Sequence, residues 1–414
     1  NGGRFLGMFP ANNGDGGNTF TGTYFNTSLD NMDNMFNDLK ASKAFPLNGG
    51  KATFTGGLFT GSQNVGATWA FNQYTIGKDG SYPSTTPVSS QWTTWGGCCS
   101  HTYDVRYNVT APYAALSWEV DKWTVEGSVR RNEMTANGQA IKGRSFDDKV
   151  PADVIAASKV GVNDYTYVPS TIDTIRYGLN KVSYSAGANY AISKDTSVYG
   201  RVSDGVNFGG DREFLFKTQG THNGSVAVGF NQLKQQEVGI KHREGNLSLF
   251  GTYFIAKTDE SNYDFKDKVM TQNSYDAKGV ELEVGYRLGS FRLTGGATLT
   301  DASITKSAGG TLNGKKPRRQ ADVVYALTPS YIAGDLEMGA AIIGSSKSFG
   351  DDANTITMGA YTVTNLFASY SINKQTRVSF SVNNAFNTLA YTEVEGDGHA
   401  ARALPGRTAK VSLR

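Results

Sequence analysis

Val280-Glu281-Leu282-Glu283-Val284-Gly285-Tyr286-Arg287-Leu288, then Gly289-Ser290, then Phe291-Arg292-Leu293-Thr294-Gly295-Gly296-Ala297-Thr298-Leu299, is the stretch on which the fold turns. Apolar residues stand at alternate positions on both sides of a short turn, so each arm reads as a strand with one apolar face. The same period recurs upstream in Trp123/Val125/Gly127/Val129, Val182/Tyr184/Ala186/Ala188/Tyr190/Ile192 and Leu247/Leu249/Gly251/Tyr253/Ile255. Downstream it returns in Leu336/Met338/Ala340/Ile342 and Val378/Phe380/Val382. Further short turns stand at Asn48-Gly49-Gly50, Asp121-Lys122, Lys194-Asp195, Gly245-Asn246, Gly334-Asp335 and Asn373-Lys374. Longer polar segments lie between the hairpins, notably 75–102, 138–176 and 207–232. Tight turns alternating with long loops are the layout of an all-β, transmembrane antiparallel β-barrel. The one helix-like stretch, Pro151 to Gly161, has Pro near its start and Gly at its end; it is placed in a loop.

Composition agrees. Of 414 residues 49 are glycine, above the roughly 7% of ordinary chains, and charged residues are 19%. The net charge of +3 is too small to argue for nucleic acid or a polybasic membrane anchor. The 22 Phe and 21 Tyr argue against disorder. No apolar run reaches the roughly 18 residues of a transmembrane helix, which leaves a membrane β-barrel open. No linker or shift in composition divides the chain, so residues 1–414 are read as one barrel domain. Asn1-Gly2-Gly3-Arg4 offers neither a signal peptide nor an initiator Met, so the chain is expected to be processed or to begin inside a longer one.

The two faces separate by chemistry. The apolar rows carry Trp118, Tyr190, Tyr286 and Tyr370 toward strand ends, as aromatic girdles require. The opposite rows carry Glu126, Arg130, Lys181, Arg201, Glu281 and Glu283. Ionised groups cost several kcal/mol in hydrocarbon, so these residues are expected to face a wet lumen or a polar plug.

Strands are expected over 35–46, 52–74, 103–119, 123–136, 177–192, 196–206, 233–243, 247–259, 269–288, 291–303, 319–333, 335–347, 357–372, 375–391 and 402–414. That makes about fifteen, whereas single-chain bacterial barrels have an even number. Either Thr19 to Phe25 is a further strand, giving about sixteen, or the first part of the barrel is absent.

Three C-terminal stretches are recognisable: Tyr361-Thr362-Val363-Thr364-Asn365-Leu366-Phe367-Ala368-Ser369-Tyr370, Ser381-Val382-Asn383-Asn384-Ala385-Phe386-Asn387-Thr388-Leu389-Ala390-Tyr391, and Gly406-Arg407-Thr408-Ala409-Lys410-Val411-Ser412-Leu413. Together they resemble the last strands of TonB-dependent outer-membrane receptors, with Ala385 and Asn387 where the family usually has Leu and Asp. Gln236-Glu237-Val238-Gly239-Ile240-Lys241 and Lys278-Gly279-Val280-Glu281-Leu282-Glu283 resemble two earlier family strands in the right order. Pro317-Arg318-Arg319-Gln320-Ala321 resembles the segment entering a later one. The resemblance implies the C-terminal part of a barrel of about 22 strands with a plugged lumen. Nothing before Asn34 resembles the N-terminal plug or its TonB-contacting segment, so both, with the first strands, are expected to be absent from this chain.

Catalytic patterns are missing: there is no His-Glu-x-x-His and no Gly-x-Ser-x-Gly. Gly309-Gly310-Thr311-Leu312-Asn313-Gly314-Lys315 imitates a phosphate loop, but Lys316 stands where Ser or Thr would bind magnesium, and strands flank it. The four histidines have no ligand spacing to one another; His101 beside Cys98 and Cys99 is the nearest approach to a metal set, and no metal or cofactor is expected. Cys98 and Cys99 are a candidate vicinal disulfide, strained because their Cα atoms lie about 3.8 Å apart against the usual minimum near 4.4 Å. Tyr82, Trp92, Trp95 and Tyr103 surround that pair. They suit stacking on sugars or aromatic chelators; packing of the loop on its neighbours is the other use of the same residues. Asp211, Arg212 and Lys217, with Arg318 and Arg319, offer charge to an anionic ligand or serve only solvation.

The resemblance implies a non-enzymatic active importer of a scarce nutrient: a ferric siderophore, a cobalamin-like chelate or an oligosaccharide. Its partners would be outer-membrane lipid, the plug, the TonB-ExbB-ExbD complex acting through the plug, and a small-molecule ligand. A surface lipoprotein is a further candidate, and no nucleic acid is expected. The alternative is a passive porin of about sixteen strands that counts Thr19–Phe25 as the first.

Overall fold

The alternating segments form one continuous antiparallel wall in a computed structural model, which describes residues 4–10, 19–77, 101–143, 169–208, 230–264, 269–394 and 401–414. The first half contributes β1 (Arg4–Pro10), β2 (Thr19–Leu47), β3 (Gly50–Gly77), β4 (His101–Val120), β5 (Trp123–Gly143), β6 (Pro169–Ala191) and β7 (Thr196–Phe208). Next come β8 (Phe230–Glu244), β9 (Leu247–Asp264), β10 (Val269–Leu288), β11 (Phe291–Lys306), β12 (Val323–Ala333) and β13 (Leu336–Ser345). Last are β14 (Ser348–Phe349), β15 (Thr357–Met358), β16 (Tyr361–Ser371), β17 (Arg377–Asn383), β18 (Tyr391–Val394), β19 (Ala401–Ala403) and β20 (Thr408–Leu413). Among the described residues the main sheet has 16 strands, β1 to β13 in succession followed by β16, β17 and β20. The pairs β14–β15 and β18–β19 stand apart as two-stranded sheets within loops. Among the described residues β1 and β20 do not pair, so the sheet has two edges. Among the described residues no helix is long and apolar enough to cross a membrane, which says nothing about strands that cross.

Several sequence expectations shift. Thr19 to Phe25 is not a separate strand; it is the start of β2, which runs on to Leu47. The further strand is β1, whose Arg4 pairs with Phe25 and Pro10 with Phe20. A strand over 35–46 therefore begins sixteen residues too late, because β3 holds the polar run Asp30 to Asn34 extended, with a bulge between Leu29 and Asn31. The strand expected from 319 begins at Val323, and the strand expected over 375–391 ends at Asn383. The helix-like stretch Pro151 to Gly161 lies outside the described residues.

Turn chemistry fixes the register. Asn48 (φ 47°) and Gly49 (φ 78°) both take the left-handed conformation, the two-residue hairpin turn whose twist matches its flanking strands. Below them the pairing of β2 and β3 runs in one register from Leu47 opposite Gly50 to Asn31 opposite Gly66, where the bulge shifts it. Gly289 (φ 56°) does the same at the β10–β11 turn, where Leu288 faces Phe291.

The apolar rows are in register from strand to strand. Val280 faces Tyr253 on β9 and Leu299 on β11, and Tyr253 faces Val238 on β8. Trp123 faces Tyr190, their rings 4.7 Å apart, and Tyr190 faces Val198. These residues stand open on the outer surface: Val238 is 56% exposed, Leu282 50% and Val129 49%. The row Leu247, Leu249, Gly251, Tyr253, Ile255 matches the roughly 9–11 residues with which a tilted strand spans hydrocarbon. Above it the outer row turns ionic: Lys257 meets Asp276 at 3.4 Å, Lys278 meets Asp301 at 3.5 Å, and Arg131 meets Glu133 at 2.6 Å. On the opposite face of β4 to β6, Val105, Ala111, Ala136 and Ile175 are fully buried, as is Ile304 on β11.

Candidate functional site

Two features carry the chemistry: the inner face of the wall, and a lobe of three loops at its long-loop end. The inner face follows from the same period of two, one residue out of phase with the apolar rows. Glu126 on β5 and Arg201 on β7 flank Gly187 on β6, where a Cβ would meet the Gly200 carbonyl at 3.1 Å. A bare Gly187 keeps that spot clear beneath the long Arg201 side chain, whose Nε donates to Ser185 Oγ at 3.0 Å. Arg130 Nε donates to Asn132 Oδ1 at 2.8 Å and its guanidinium lies 4.9 Å from the centre of the Phe59 ring. Asn132, buried, donates in turn to Ser183 Oγ at 3.0 Å. Lys181 sits opposite Asn132, with its ammonium 3.9 Å from the centre of the Phe230 ring. Glu281 faces Thr252 and Thr298, and Glu283 faces Phe250 and Gly296. All six residues expected to face the lumen thus share the face opposite the apolar band. Arg130, Lys181 and Arg201 are tied to the wall by hydrogen bonds or cation–π contacts, while Glu281 and Glu283 stand exposed.

The lobe is built from residues 307–322, 346–360, 384–394 and 401–407. In the first, Ser307 Oγ accepts from Leu312 N at 3.2 Å and closes the turn that follows the 3-10 turn Ala308–Gly310. The imitation of a phosphate loop is therefore a stand of turns between β11 and β12 with no helix behind it. Asn354, held at φ 60°, clasps Lys316: its Oδ1 accepts from Lys316 N at 2.9 Å and its Nδ2 donates to Lys316 O at 2.8 Å. Lys316 Nζ also pairs with Asp322. Arg318 N donates to Asp352 Oδ1 at 2.8 Å, and Arg319 N donates to the Phe349 carbonyl at 2.7 Å. Arg319 reaches Glu393 at 2.6 Å, and Glu393 also meets Arg402 at 3.1 Å. Asn384, buried, bonds Thr388 N and O and the Pro405 carbonyl.

Asp351 organises the second loop. Burial alone would raise its carboxyl, but it accepts from Ile356 N at 2.8 Å, Thr355 N at 2.9 Å and Thr355 Oγ1 at 2.7 Å, and these bonds hold it below the usual carboxylate value. On β10, Asn273 Nδ2 donates to the Tyr275 hydroxyl at 3.3 Å.

Of the sites expected from sequence, Arg318 and Arg319 lie in the lobe. Tyr103 is on β4 opposite Ala67. Tyr82, Trp92, Trp95, Cys98, Cys99, Asp211, Arg212 and Lys217 lie outside the described residues. Sequence reasoning missed Asp351, Asn354, Asn384, Glu393 and Arg402. The left-handed Asn354, Asn384 and Asn387 carried a local turn signal, but their partners lie in other loops. Among the described residues no His, Cys, Asp or Glu cluster could hold a metal ion.

An apolar belt outside, ionised rows inside and long connections at one end define a transmembrane β-barrel wall of receptor type. The chain belongs to the TonB dependent receptor-like, beta-barrel family, whose profile matches residues 2–385. It is 27% identical over 169 residues to the ferrichrome outer membrane transporter/phage receptor of Escherichia coli K12, covering 37% of this chain and 22% of that protein. Among solved structures, BauA, the ferric preacinetobactin receptor of Acinetobacter baumannii, superposes with TM-score 0.68 at 14% identity over 95% of this chain. The siderophore receptor PiuA of the same species superposes with TM-score 0.66 at 17% identity, also over 95%. The chain spans 55% and 56% of those two proteins, and at these identities the likeness is one of fold.

Proposed function

We propose that this chain is the barrel wall of an active importer in the outer membrane of a Gram-negative bacterium, and that its cargo is a ferric siderophore. The observation that carries the reading is the family match over residues 2–385 on a wall whose lumen face is ionised and whose outer face is apolar. Such a lumen face suits a polar plug better than hydrocarbon. Ferrichrome, ferric-pyoverdine and preacinetobactin in the names of relatives favour an iron chelate over a cobalamin-like chelate or an oligosaccharide. In this reading the native protein carries a plug and further strands ahead of Asn1, which fill the space between the edges β1 and β20. The plug closes the lumen, the TonB-ExbB-ExbD complex pulls on it, and the wall supplies the surface against which it moves. Ligand capture falls to the long-loop end, with the aromatic residues of 75–102 and the three-loop lobe as its sides. No bond chemistry is required of the wall.

Uptake of radiolabelled ferric siderophore by cells carrying the full native chain tests this. Uptake should vanish without TonB, and deletion of residues 78–100 should abolish binding while the barrel still shows heat-modifiable mobility. TonB-independent flux with ion conductance through the purified protein would instead establish a passive pore.

A further inference from the structure

The inner face at the short-turn end of β8 to β11 carries three arginines that form no ion pair among the described residues. Arg287 and Arg292 stand directly opposite each other across the β10–β11 hairpin. Arg243 on β8 faces Ser248 on β9, which faces Gly285, the preceding inward residue on β10. All three are exposed. Two of them are fastened through the main chain, Arg243 N donating to Asp195 O at 2.8 Å and Arg287 N to Asn246 O at 3.0 Å. Their guanidinium groups have no acidic partner among the described residues. The nearest inward acid on the same strand, Glu283, forms no ion pair with any of them, and the neighbouring inward cation Lys241 lies over the Tyr199 ring at 4.6 Å.

Like charges directly opposed across an antiparallel pair destabilise it. Elsewhere on the same rim the wall neutralises its own arginine: Arg377, at the start of β17, meets Glu337 on β13 at 2.7 Å and also bonds Ser369 Oγ. The contrast shows that an internal acid is available to this architecture and is withheld at Arg243, Arg287 and Arg292. Lipid phosphate is not their counter-ion, because these residues share the lumen face with Glu281 and Glu283. An imported anion enters from the long-loop end and meets this rim last. What remains is a polypeptide seated inside the wall.

We infer that Arg243, Arg287 and Arg292 form the seat of an acidic stretch of the plug, held by guanidinium–carboxylate pairs at the short-turn rim. The inference rests on the reading that a plug precedes Asn1 in the native chain. Guanidinium forks suit carboxylates because both are planar and bond in pairs, and removing one such charge-assisted bond changes an equilibrium by about tenfold.

The test uses the full native chain in membranes, with p-benzoylphenylalanine at Ser330, the inward residue opposite Arg292 on β12. After irradiation, mass spectrometry should find the cross-link on a segment preceding Asn1 that contains clustered Asp or Glu. The R287E/R292E variant should lose about tenfold in cross-link yield, and R287K/R292K should keep most of it. Heat-modifiable mobility confirms that each variant is folded. Cross-linking to a neutral or basic plug segment, or an unchanged yield in R287E/R292E, overturns the seat while leaving the importer standing. A native chain with nothing before Asn1 overturns both, and its intact mass tells the two failures apart.

Discussion

Arg319 and Glu393 meet at 2.6 Å across two loops that leave the wall at different strands, and Glu393 holds Arg402 at 3.1 Å on its other oxygen. One carboxylate thereby fastens 307–322 to both arms of the β18–β19 hairpin. Arg319 is also bound through its main chain to Phe349, so all three loops converge on it. Glu393→Gln should release the hairpin and raise the rate of proteolysis within 384–407. The pair is partly exposed, so the lobe should lose about 1 kcal/mol at most. Barrel mobility on heating should not change.

Asn354 joins the same lobe by backbone mimicry, with paired bonds to both polar groups of Lys316 at a left-handed φ of 60°. Asn354→Gly removes the bonds and relaxes the backbone, whereas Asn354→Ala removes them and adds strain. Amide exchange at Lys316 should accelerate in both. The loss should be larger in Ala than in Gly by about 1 kcal/mol. Equal effects would mean that the left-handed conformation contributes nothing.

Asp351 makes this lobe acid-sensitive. Its carboxyl lies below the ordinary value in the folded loop, so its contribution is complete above the unfolded pKa near about 3.9 and is lost as pH falls through the folded pKa. Amide exchange at Thr355 and Ile356, whose N–H groups bond the carboxylate, should be flat from neutral pH to about 5 and then show loss of protection in stronger acid. Asp351→Asn should lower protection at neutral pH and remove most of that acid dependence.

The strands were legible because their signal is local. Alternation from Val280 to Leu288 and the turn at Gly289 needed no partner to be recognised, and the charged row opposite the apolar one is read from the same period. Thr19 to Leu47 was not legible as one strand because Asp30-Asn31-Met32-Asp33-Asn34 has no alternation; pairing with β3 keeps it extended. Pro317 to Gln320 looked like the entrance to a strand, but Arg319 takes φ 63° and turns toward Phe349 instead. Its partner Glu393 sits in a loop that nothing in the local sequence connects to it. Contacts of that kind depend on how neighbouring strands bring loop ends together, which periodicity does not encode.

Facing can be tested on adjacent residues of one strand. Val284 points outward between Leu249 and Gly295, midway along the row from Leu288 to Val280, and Glu283 points inward beside Phe250 and Gly296. Val284→Arg places a charge near the bilayer midplane and should destabilise refolding into phospholipid vesicles by about 2–4 kcal/mol. Glu283→Arg exchanges one solvated charge for another and should stay within about 0.5 kcal/mol of the parent. In detergent, where the belt conforms to the surface, the gap between the two variants should narrow. The reverse order in vesicles would turn the wall inside out and move every candidate lumen residue, from Glu126 to Glu283, into lipid.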